Sequence, residues 1–175
     1  SYVPSGGANT TDIAKSTGII IGDTWQLLTK GTTMGSVQIK QNYEVKFSIR
    51  PTGAINGWSN IIHFTAGGDC CGINERVPGV WFFSGTTRLY FVTGTAANGN
   101  NNPLRPPALP LNQESIVTIK VVDNNLSISI SGGIEWSGSI AISPRATGDQ
   151  VTFWASDPWY QSAKAEIRKV SYKGL

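Results

Sequence analysis

The segment Glu114–Ser131, ESIVTIKVVDNNLSISIS, contains two runs in which apolar and polar residues alternate. Alternation with a period of two is typical of a strand that buries one of its faces. The residues between the runs, Asp123-Asn124-Asn125, tolerate turn conformations that β-branched residues resist. The segment therefore predicts a β-hairpin, and similar runs occur on both sides of it.

These runs predict strands along most of the chain, whereas helical periodicity is nearly absent. The further predicted strands are Trp25–Thr29, Gly35–Lys40, Asn42–Arg50, Ser59–Thr65, Val80–Phe83, Thr87–Thr93, Ile134–Ile142, Gln150–Ser156 and Ala165–Lys173. The segment Gly94–Leu111 is rich in Asn and Pro and cannot hold a ladder, so we expect a long loop there. About a dozen strands predict an all-β, two-sheet antiparallel β-sandwich that spans residues 1–175 as a single domain.

The composition excludes several classes of protein. Of the 175 residues, 39% are hydrophobic and only 14% are charged, which is unlike a disordered polyelectrolyte or a membrane protein. The formal net charge is +3 and no basic run concentrates it, so nothing indicates nucleic-acid binding. The longest apolar stretches are far shorter than the ~20 residues of a membrane-spanning helix, so we expect no membrane span.

The amino-terminal residues bear on the compartment. Ser1–Gly7 lacks an initiator methionine and the charged and apolar regions of a signal peptide, which is typical of a mature processed chain or an excised domain. Asn9-Thr10-Thr11 and Asn125-Leu126-Ser127 both match the N-glycosylation sequon. We therefore expect a secreted, extracellular protein.

Two blocks of sequence resemble a known superfamily. The hairpin runs Val117–Val121 and Leu126–Ile130 and the closing segment Ala165–Val170 resemble the concanavalin A-like lectin and laminin G-like jelly-roll superfamily. The second block is similar to extracellular metazoan modules of that superfamily; it comprises Gly57–Thr65, Cys70-Cys71, Arg76–Phe82, Thr87–Leu89 and Ala155–Tyr160. The resemblance implies a twisted antiparallel jelly-roll sandwich. Because the superfamily includes lectins, matrix adhesion modules and glycosidases, the fold leaves the function open.

The sequence contains no recognisable catalytic motif. Glucan hydrolases of this superfamily have a Glu-x-Asp-x-x-Glu or Glu-x-Asp-x-Glu motif that places two carboxylates on one strand face, and this chain has neither. Its eleven carboxylates are isolated, and no nucleophile-elbow sequence accompanies its one histidine, His63. We therefore expect His63 to be a hydrogen-bonded packing residue and the protein not to be an enzyme.

Cys70 and Cys71 are adjacent, with Gly67, Gly68 and Gly72 close by in the sequence. In a regular strand the two side chains would point to opposite faces, so a bond between them requires a distorted turn, which the glycines allow. A vicinal disulfide is the favoured interpretation. The alternatives are interchain disulfides, which would make this loop an assembly point, and free thiols.

Oxygen-bearing side chains around the cysteines form a candidate calcium site. The predicted ligands are Asp69, Asn74 and Glu75, to which Asn98, Asn100 and Asn102 could add further oxygens. Carboxylate, amide and carbonyl oxygens are the hard ligands that Ca²⁺ takes. Ordinary turns are the alternative interpretation, because the spacing of a known calcium loop is missing.

Aromatic residues outside the alternating pattern indicate a carbohydrate site. A flat ring stacks on the C–H face of a pyranose, while Asn, Asp and Arg side chains bind in the plane of the sugar. The candidate ligand-binding residues are Trp58, Asn60, Arg88, Tyr90, Asn98, Asn100, Asp157, Trp159 and Tyr160, with Trp81 as a further aromatic candidate. The alternative is that these rings plug the edge of the sandwich.

Three functions are compatible with these features. The first is a secreted, non-catalytic module that binds glycans or a matrix glycoprotein. The second is a structural protein that self-assembles as a homo-oligomer or polymer into a matrix, fibre or mineral scaffold. Low charge and abundant Ser, Thr, Asn and Gly favour this second function, because near-neutral surfaces associate readily. The third is an enzyme that acts on polysaccharide.

Overall fold

Strands provide the regular secondary structure of the described chain. A computed structural model describes residues 19–175, which form thirteen strands and contain no helix, and hence none that could cross a membrane. The strands are β1 (Ile19–Ile21), β2 (Gln26–Leu27), β3 (Thr33–Gln38), β4 (Tyr43–Pro51), β5 (Ser59–Thr65), β6 (Gly79–Phe82), β7 (Leu89–Val92), β8 (Ser115–Val122), β9 (Asn125–Gly132), β10 (Trp136–Ala141), β11 (Gln150–Trp154), β12 (Gln161–Ser162) and β13 (Ala165–Gly174). The sequon at Asn9 lies outside the described residues.

The strands form two sheets that pack face to face. The seven-stranded sheet has the order β1-β13-β4-β8-β9-β10, and β2 also pairs with β13. The six-stranded sheet has the order β3-β11-β5-β6-β7, and β12 also pairs with β5. The strand pairings of residues 19–175 are antiparallel, except for the short parallel pairing of β12 with β5. The predicted all-β, two-sheet antiparallel sandwich is therefore confirmed.

The hairpin formed by β8 and β9 has the predicted strands but a tighter turn. The two strands pair without interruption from Ser115 with Gly132 to Val122 with Asn125. Asp123 and Asn124 form the turn with φ values of 49° and 59°, the left-handed conformation that both central residues of a type I′ turn adopt. Asn125, predicted to lie in the turn, is therefore the first residue of β9.

The hydrophobic core lies between the two sheets. On β4, Tyr43 and Phe47 are fully buried, and so are the apolar residues that alternate with them. The ring of Phe64 on β5 packs against Tyr172 on β13, with centroids 6.1 Å apart, so the core joins the two sheets directly. Removal of this apolar surface from water stabilises the sandwich by roughly 25 cal/mol for each Å² that is buried.

Strand β5 departs from strict alternation, and this departure shapes the outer face of the six-stranded sheet. A register shift relative to β6 lies between Asn60 and Ile62. As a result Ile61 joins Ile62 in the core, although alternation placed Ile61 on the same face as His63. Asn60 and His63 remain outside the core, where they bind the loops that cover this sheet.

Tyr43 allows a test of the core at alkaline pH. Its ring is fully buried and stacks on Tyr172, and its hydroxyl has no hydrogen-bond partner within residues 19–175. Burial raises the pKa of Tyr43 from 10.0 to about 12, although the nearby guanidinium of Arg145 acts in the opposite direction. The unfolded chain therefore loses this proton at a lower pH than the folded chain does.

The free energy of unfolding should consequently fall by about 3 kcal/mol between about pH 10 and pH 12 through this one group. In Tyr43→Phe the contribution is absent, so the stability of the variant relative to the natural chain should rise across the same window. Urea denaturation at stepped pH measures the difference, and at pH 7 the two proteins should agree within about 1 kcal/mol. Parallel pH profiles would contradict the assignment.

Candidate functional site

The outer face of the six-stranded sheet carries a continuous set of aromatic rings, here called the aromatic surface. Its members are Trp58, Trp81, Phe83, Tyr90, Trp154, Trp159 and Tyr160. Ring contacts run from Trp58 to Tyr90 and from Tyr90 to Trp81, with centroids 4.8 Å and 6.3 Å apart. The imidazole of His63 lies 5.1 Å from Trp81 and 5.5 Å from Trp159, so it joins the two ends of the surface.

Strand register explains why several of these side chains share one face. Asn60 on β5 pairs with Trp81 on β6, which pairs in turn with Tyr90 on β7. Residues paired across neighbouring strands point to the same side of a sheet. The indole of Trp81 lies over Gly79, where a Cβ atom would be only 2.4 Å from the ring carbon Cη2. The position of Trp81 therefore requires glycine at residue 79.

A buried pair, His63 and Asp157, lies beneath the aromatic surface. Nδ1 of His63 is 2.8 Å from Oδ2 of Asp157, and Nε2 is 2.6 Å from the carbonyl oxygen of Glu75. A carbonyl oxygen only accepts, so Nε2 carries a proton and donates it. The second bond requires a proton on either Nδ1 or Oδ2, and in both cases the pair has no net charge. His63 is thus the hydrogen-bonded packing residue that the sequence predicted.

Asp157 also holds the loop that carries two members of the aromatic surface. Its Oδ1 accepts hydrogen bonds from the backbone N–H groups of Trp159 and Tyr160, at 3.0 Å and 2.9 Å. Its own backbone N–H donates to Oδ1 of Asn60 at 2.8 Å. The amide of Asn60 donates to the carbonyl oxygens of Ile62 and Val80, so it is also fully used within the fold.

This arrangement corrects the predicted roles of Asn60 and Asp157. Both side chains are completely inaccessible to solvent, so a ligand cannot contact them without disrupting the fold. They position Trp159 and Tyr160 instead. Neither Asn60, in a predicted strand, nor Asp157, just after one, gave a signal in the sequence that would distinguish ligand binding from support of a loop, because the sequence does not show which loop covers which strand.

Arg76, which no sequence pattern indicated, is a charged group that contacts the aromatic surface. Its guanidinium carbon lies 4.5 Å from the ring centroid of Trp81. The guanidinium donates to the carbonyl oxygen and to Oδ1 of Asp69, to Oδ1 of Asn100, and to the hydroxyl of Tyr160. Arg76 lies in an irregular loop, where no periodic pattern predicts the direction of a side chain.

Trp58, Arg76, Trp81, Tyr90 and Tyr160 line a shallow depression of about 100 Å³. Trp58 is 39% exposed, whereas Trp81 is only 1% exposed. The Nε1 atom of Trp81 is buried without a hydrogen-bond partner among residues 19–175, although a buried indole N–H usually has one. The depression therefore combines an exposed ring at its rim with the guanidinium of Arg76 in its lining, which suits a ligand that has both an apolar face and hydrogen-bond acceptors.

The loop between β5 and β6 and the segment around Asn100 form the border next to Arg76. The structure pairs Cys70 with Cys71, adjacent residues of this loop. A Cβ atom at Gly99 would be 2.2 Å from the carbonyl oxygen of Cys71, so only glycine allows the two segments to pack this closely. Asn98 stabilises its own turn by accepting a hydrogen bond from the backbone N–H of Asn100.

Each of the three predicted calcium ligands has a hydrogen-bond partner within the protein. Asp69 binds Arg76, the Asn74 amide donates to Oδ2 of Asp149 at 2.8 Å, and Oε2 of Glu75 accepts from the backbone N–H of Gly72 at 2.7 Å. The side chains are close in sequence, but each is satisfied by a different partner.

Another set of possible metal ligands is formed by His63, Asp69 and Asp157. One nitrogen and two carboxylate oxygens from these residues lie within 4.8 Å of one another. All three side chains already have hydrogen-bond partners within the protein. The set is therefore satisfied internally, and a metal ion would have to displace existing bonds to enter it.

Comparison with known proteins identifies the fold but no family. No protein-family model matches the chain, and no curated protein matches it in sequence. Among solved structures, the exoplasmic/lumenal domain of VIP36, in its Ca²⁺/Man-bound form, has a TM-score of 0.58 at 10% identity, over 91% of this chain and 81% of that chain. The receptor-binding domain of botulinum neurotoxin type G has a TM-score of 0.54 at 13% identity, over 90% of this chain and 43% of that chain.

The sialidase of Trypanosoma rangeli, in complex with sialic acid, has a TM-score of 0.53 at 12% identity. The match covers 75% of this chain and 20% of the sialidase, so the chain spans about a fifth of that enzyme. At such identities the likeness shows the fold alone. The sandwich is thus of the concanavalin A-like jelly-roll type, while the laminin G-like metazoan assignment stays a prediction.

The prediction that the protein is not an enzyme is contradicted by these neighbours. The sialidase is an enzyme with a sandwich of this type, so the fold gives no ground for excluding catalysis. The structure also corrects the premise that the carboxylates are isolated, because Asp69 and Asp157 approach one another from separate loops. Acidic groups that are far apart in sequence can be brought together by the fold, and a search for strand motifs misses them.

The buried pair can be tested through stability. Asp157→Ala leaves His63 without its partner and removes the acceptor for two backbone N–H groups. The free energy of unfolding should fall by about 3 to 5 kcal/mol, as for other buried pairs that lose one member. Asp157→Asn keeps an acceptor for Trp159 and Tyr160 and should have an intermediate stability.

Urea denaturation followed by tryptophan fluorescence measures both variants. Asp23→Ala is the matched control, because Asp23 is exposed and lies next to strands of the other, seven-stranded sheet. The control should stay within about 0.5 kcal/mol of the natural chain. If Asp157→Ala were equally stable, the pair would not hold the loop in place.

Proposed function

We propose that this protein binds carbohydrate in the extracellular space, and that the aromatic surface forms the binding site. The observation that carries the proposal is the depression, which is lined by the exposed ring of Trp58, by Trp81 and by Arg76. An aromatic ring packs on the C–H face of a sugar, and convergent polar groups fix its hydroxyl or acidic substituents. The depression is too shallow to enclose a large ligand, so the sugar would lie across it.

Two further features support the proposal. The VIP36 domain is a structural neighbour in a Ca²⁺/Man-bound form, so a sandwich of this type is known in complex with a sugar. Asn125, in the second predicted sequon, is exposed at the hairpin, as an N-glycosylation acceptor in a secreted protein must be. A glycan or a glycoprotein of the extracellular matrix is the partner that this site would recognise.

Substitution of Trp58 tests the proposal. A glycan array first identifies ligands, and titration calorimetry with those ligands then compares Trp58→Ala with the natural chain. Loss of the exposed ring should weaken binding at least tenfold, equivalent to about 1.4 kcal/mol. Trp25→Ala is the control, because Trp25 lies between Arg50 and Arg168 on the opposite sheet, with each guanidinium carbon 4.4 Å from its ring.

The control should bind with unchanged affinity. Full affinity in Trp58→Ala, or the absence of any ligand on the array, would refute the proposal. The same titrations in CaCl₂ and in EDTA test whether calcium contributes. Loss of binding in EDTA alone would show that binding requires calcium. The positions of Asp69, Asn74 and Glu75 do not by themselves establish a calcium site, because each has a hydrogen-bond partner within the protein.

Self-assembly is a second candidate function, favoured by the edge strand β10. Within residues 19–175, β10 pairs only with β9, and its sequence Trp136–Ala141 contains neither charge nor proline. An edge strand without such residues is free to pair with another strand. Ile140 on this strand is 40% exposed.

Analytical ultracentrifugation over a range of concentrations tests this candidate. Assembly through β10 predicts a sedimentation coefficient that rises with concentration and returns to the monomer value in Ile140→Lys, because a charge on an edge strand opposes pairing. A monomer at all concentrations would eliminate assembly by this route.

A further inference from the structure

Three arginines surround the aromatic surface, and two of them have no acidic partner. Arg88 and Arg105 lie with their guanidinium carbons 5.6 Å and 5.7 Å from the ring centroids of Phe83 and Tyr90. Among residues 19–175 the ion pairs of arginine involve Arg50, Arg76 and Arg168, and neither of these two. The positive charge beside Tyr90 and Phe83 is therefore not neutralised by a neighbouring carboxylate.

Both guanidinium groups are held near the rings by the backbone. Nε of Arg88 donates to the carbonyl oxygen of Pro106 at 2.9 Å, and Nη1 of Arg105 donates to that of Asn102 at 2.8 Å. Each bond uses one of the five N–H donors of a guanidinium and leaves the others free. Contact with the ring and the backbone also limits the side-chain entropy that a ligand would have to remove.

The carboxylates near the depression are already occupied. Asp69 is bound to Arg76 at 3.1 Å, and Asp157 forms the neutral buried pair with His63. Glu75 accepts a hydrogen bond from the backbone of its own loop. Each of these three carboxylates therefore has a partner within the protein, whereas Arg88 and Arg105 have no acidic partner.

The residues that line the depression also retain free hydrogen-bond donors. The hydroxyl of Tyr160 accepts from Arg76, which leaves its own proton free to donate. Arg76 makes four hydrogen bonds within the protein, so one of its five N–H donors remains. A neutral sugar offers hydroxyls that both donate and accept, whereas an ionised acidic group only accepts.

We propose that the carbohydrate bound at this surface is an acidic polysaccharide, with carboxylate or sulfate groups that contact Arg88 and Arg105 while a sugar ring packs on Trp58. This inference rests on the proposed function and assigns the class of its ligand. Hydrogen bonds between arginine and an anionic oxygen are charge-assisted and roughly twice as strong as neutral ones. Both arginines are near the surface, so their contribution should weaken as salt increases.

Titration of the natural chain with three polysaccharides of similar length tests the class of ligand. A polyuronate carries only carboxylates, a sulfated glycan without uronic acid carries only sulfates, and a mannan is neutral. We expect one or both acidic polymers to bind at least tenfold more tightly than the neutral one. This difference in affinity should shrink when the NaCl concentration is raised from about 0.05 M to about 0.5 M. Preference for one acidic polymer supports the proposal and identifies the acidic group.

The double variant Arg88→Gln/Arg105→Gln should bind the preferred polymer at least tenfold more weakly at low salt and should depend less on salt. Lys46→Gln/Lys120→Gln is the matched control, because it removes the same charge from exposed positions on the seven-stranded sheet. The control should keep the affinity of the natural chain. Equal losses in the two double variants would indicate non-specific charge attraction and overturn the proposal.

The outcomes separate this inference from the function on which it rests. Tightest binding to the neutral polymer, weakened by Trp58→Ala but unchanged by Arg88→Gln/Arg105→Gln, would keep the carbohydrate site and overturn the acidic ligand. Absence of binding to every saccharide, neutral or acidic, would overturn both. Circular dichroism of each variant confirms that a loss of binding does not reflect unfolding.

Discussion

The hydrogen bond between His63 and Asp157 connects the six-stranded sheet to the loop that carries Trp159 and Tyr160. Neither side chain of the pair contacts water, and a buried polar group without a partner costs about 1 to 3 kcal/mol. The pair is therefore satisfied only if the segment after β11 folds back over β5. The aromatic surface depends on this polar network beneath it as much as on contacts between its rings.

The chemistry of the surface follows from how its polar groups are divided. Acceptors such as Asp157, Asp69 and the Asn60 side chain are used inside the fold, while Arg88 and Arg105 lie at the aromatic surface without an acidic partner among residues 19–175. This division leaves positive charge at the site. The composition does not show it, since the chain as a whole has a formal charge of only +3. The fold is shared with a lumenal domain, a toxin receptor-binding domain and a sialidase, so the function is carried by this local arrangement.

Several members of the site were predicted from the sequence, because an aromatic residue beside a turn or a proline does not fit strand alternation. Trp58, Trp159 and Tyr160 were found in this way, and the structure places them on one face with Tyr90, which the sequence also predicted to bind a ligand. Arg76 was missed because its loop has no periodicity. Residues that are close in sequence, such as those of the predicted calcium site, turned out to bind separate partners.

The strands, the turn of the β8–β9 hairpin and the two-sheet class follow from the sequence itself, because side-chain alternation and turn propensity act between residues that are close along the chain. Only the tertiary structure decided that Asp157 lies against His63, from which it is separated by 94 positions, and that Arg76 lies over Trp81. These contacts depend on which loop covers which strand. That choice is set by the burial and hydrogen bonding of the whole sandwich, and no local pattern records it.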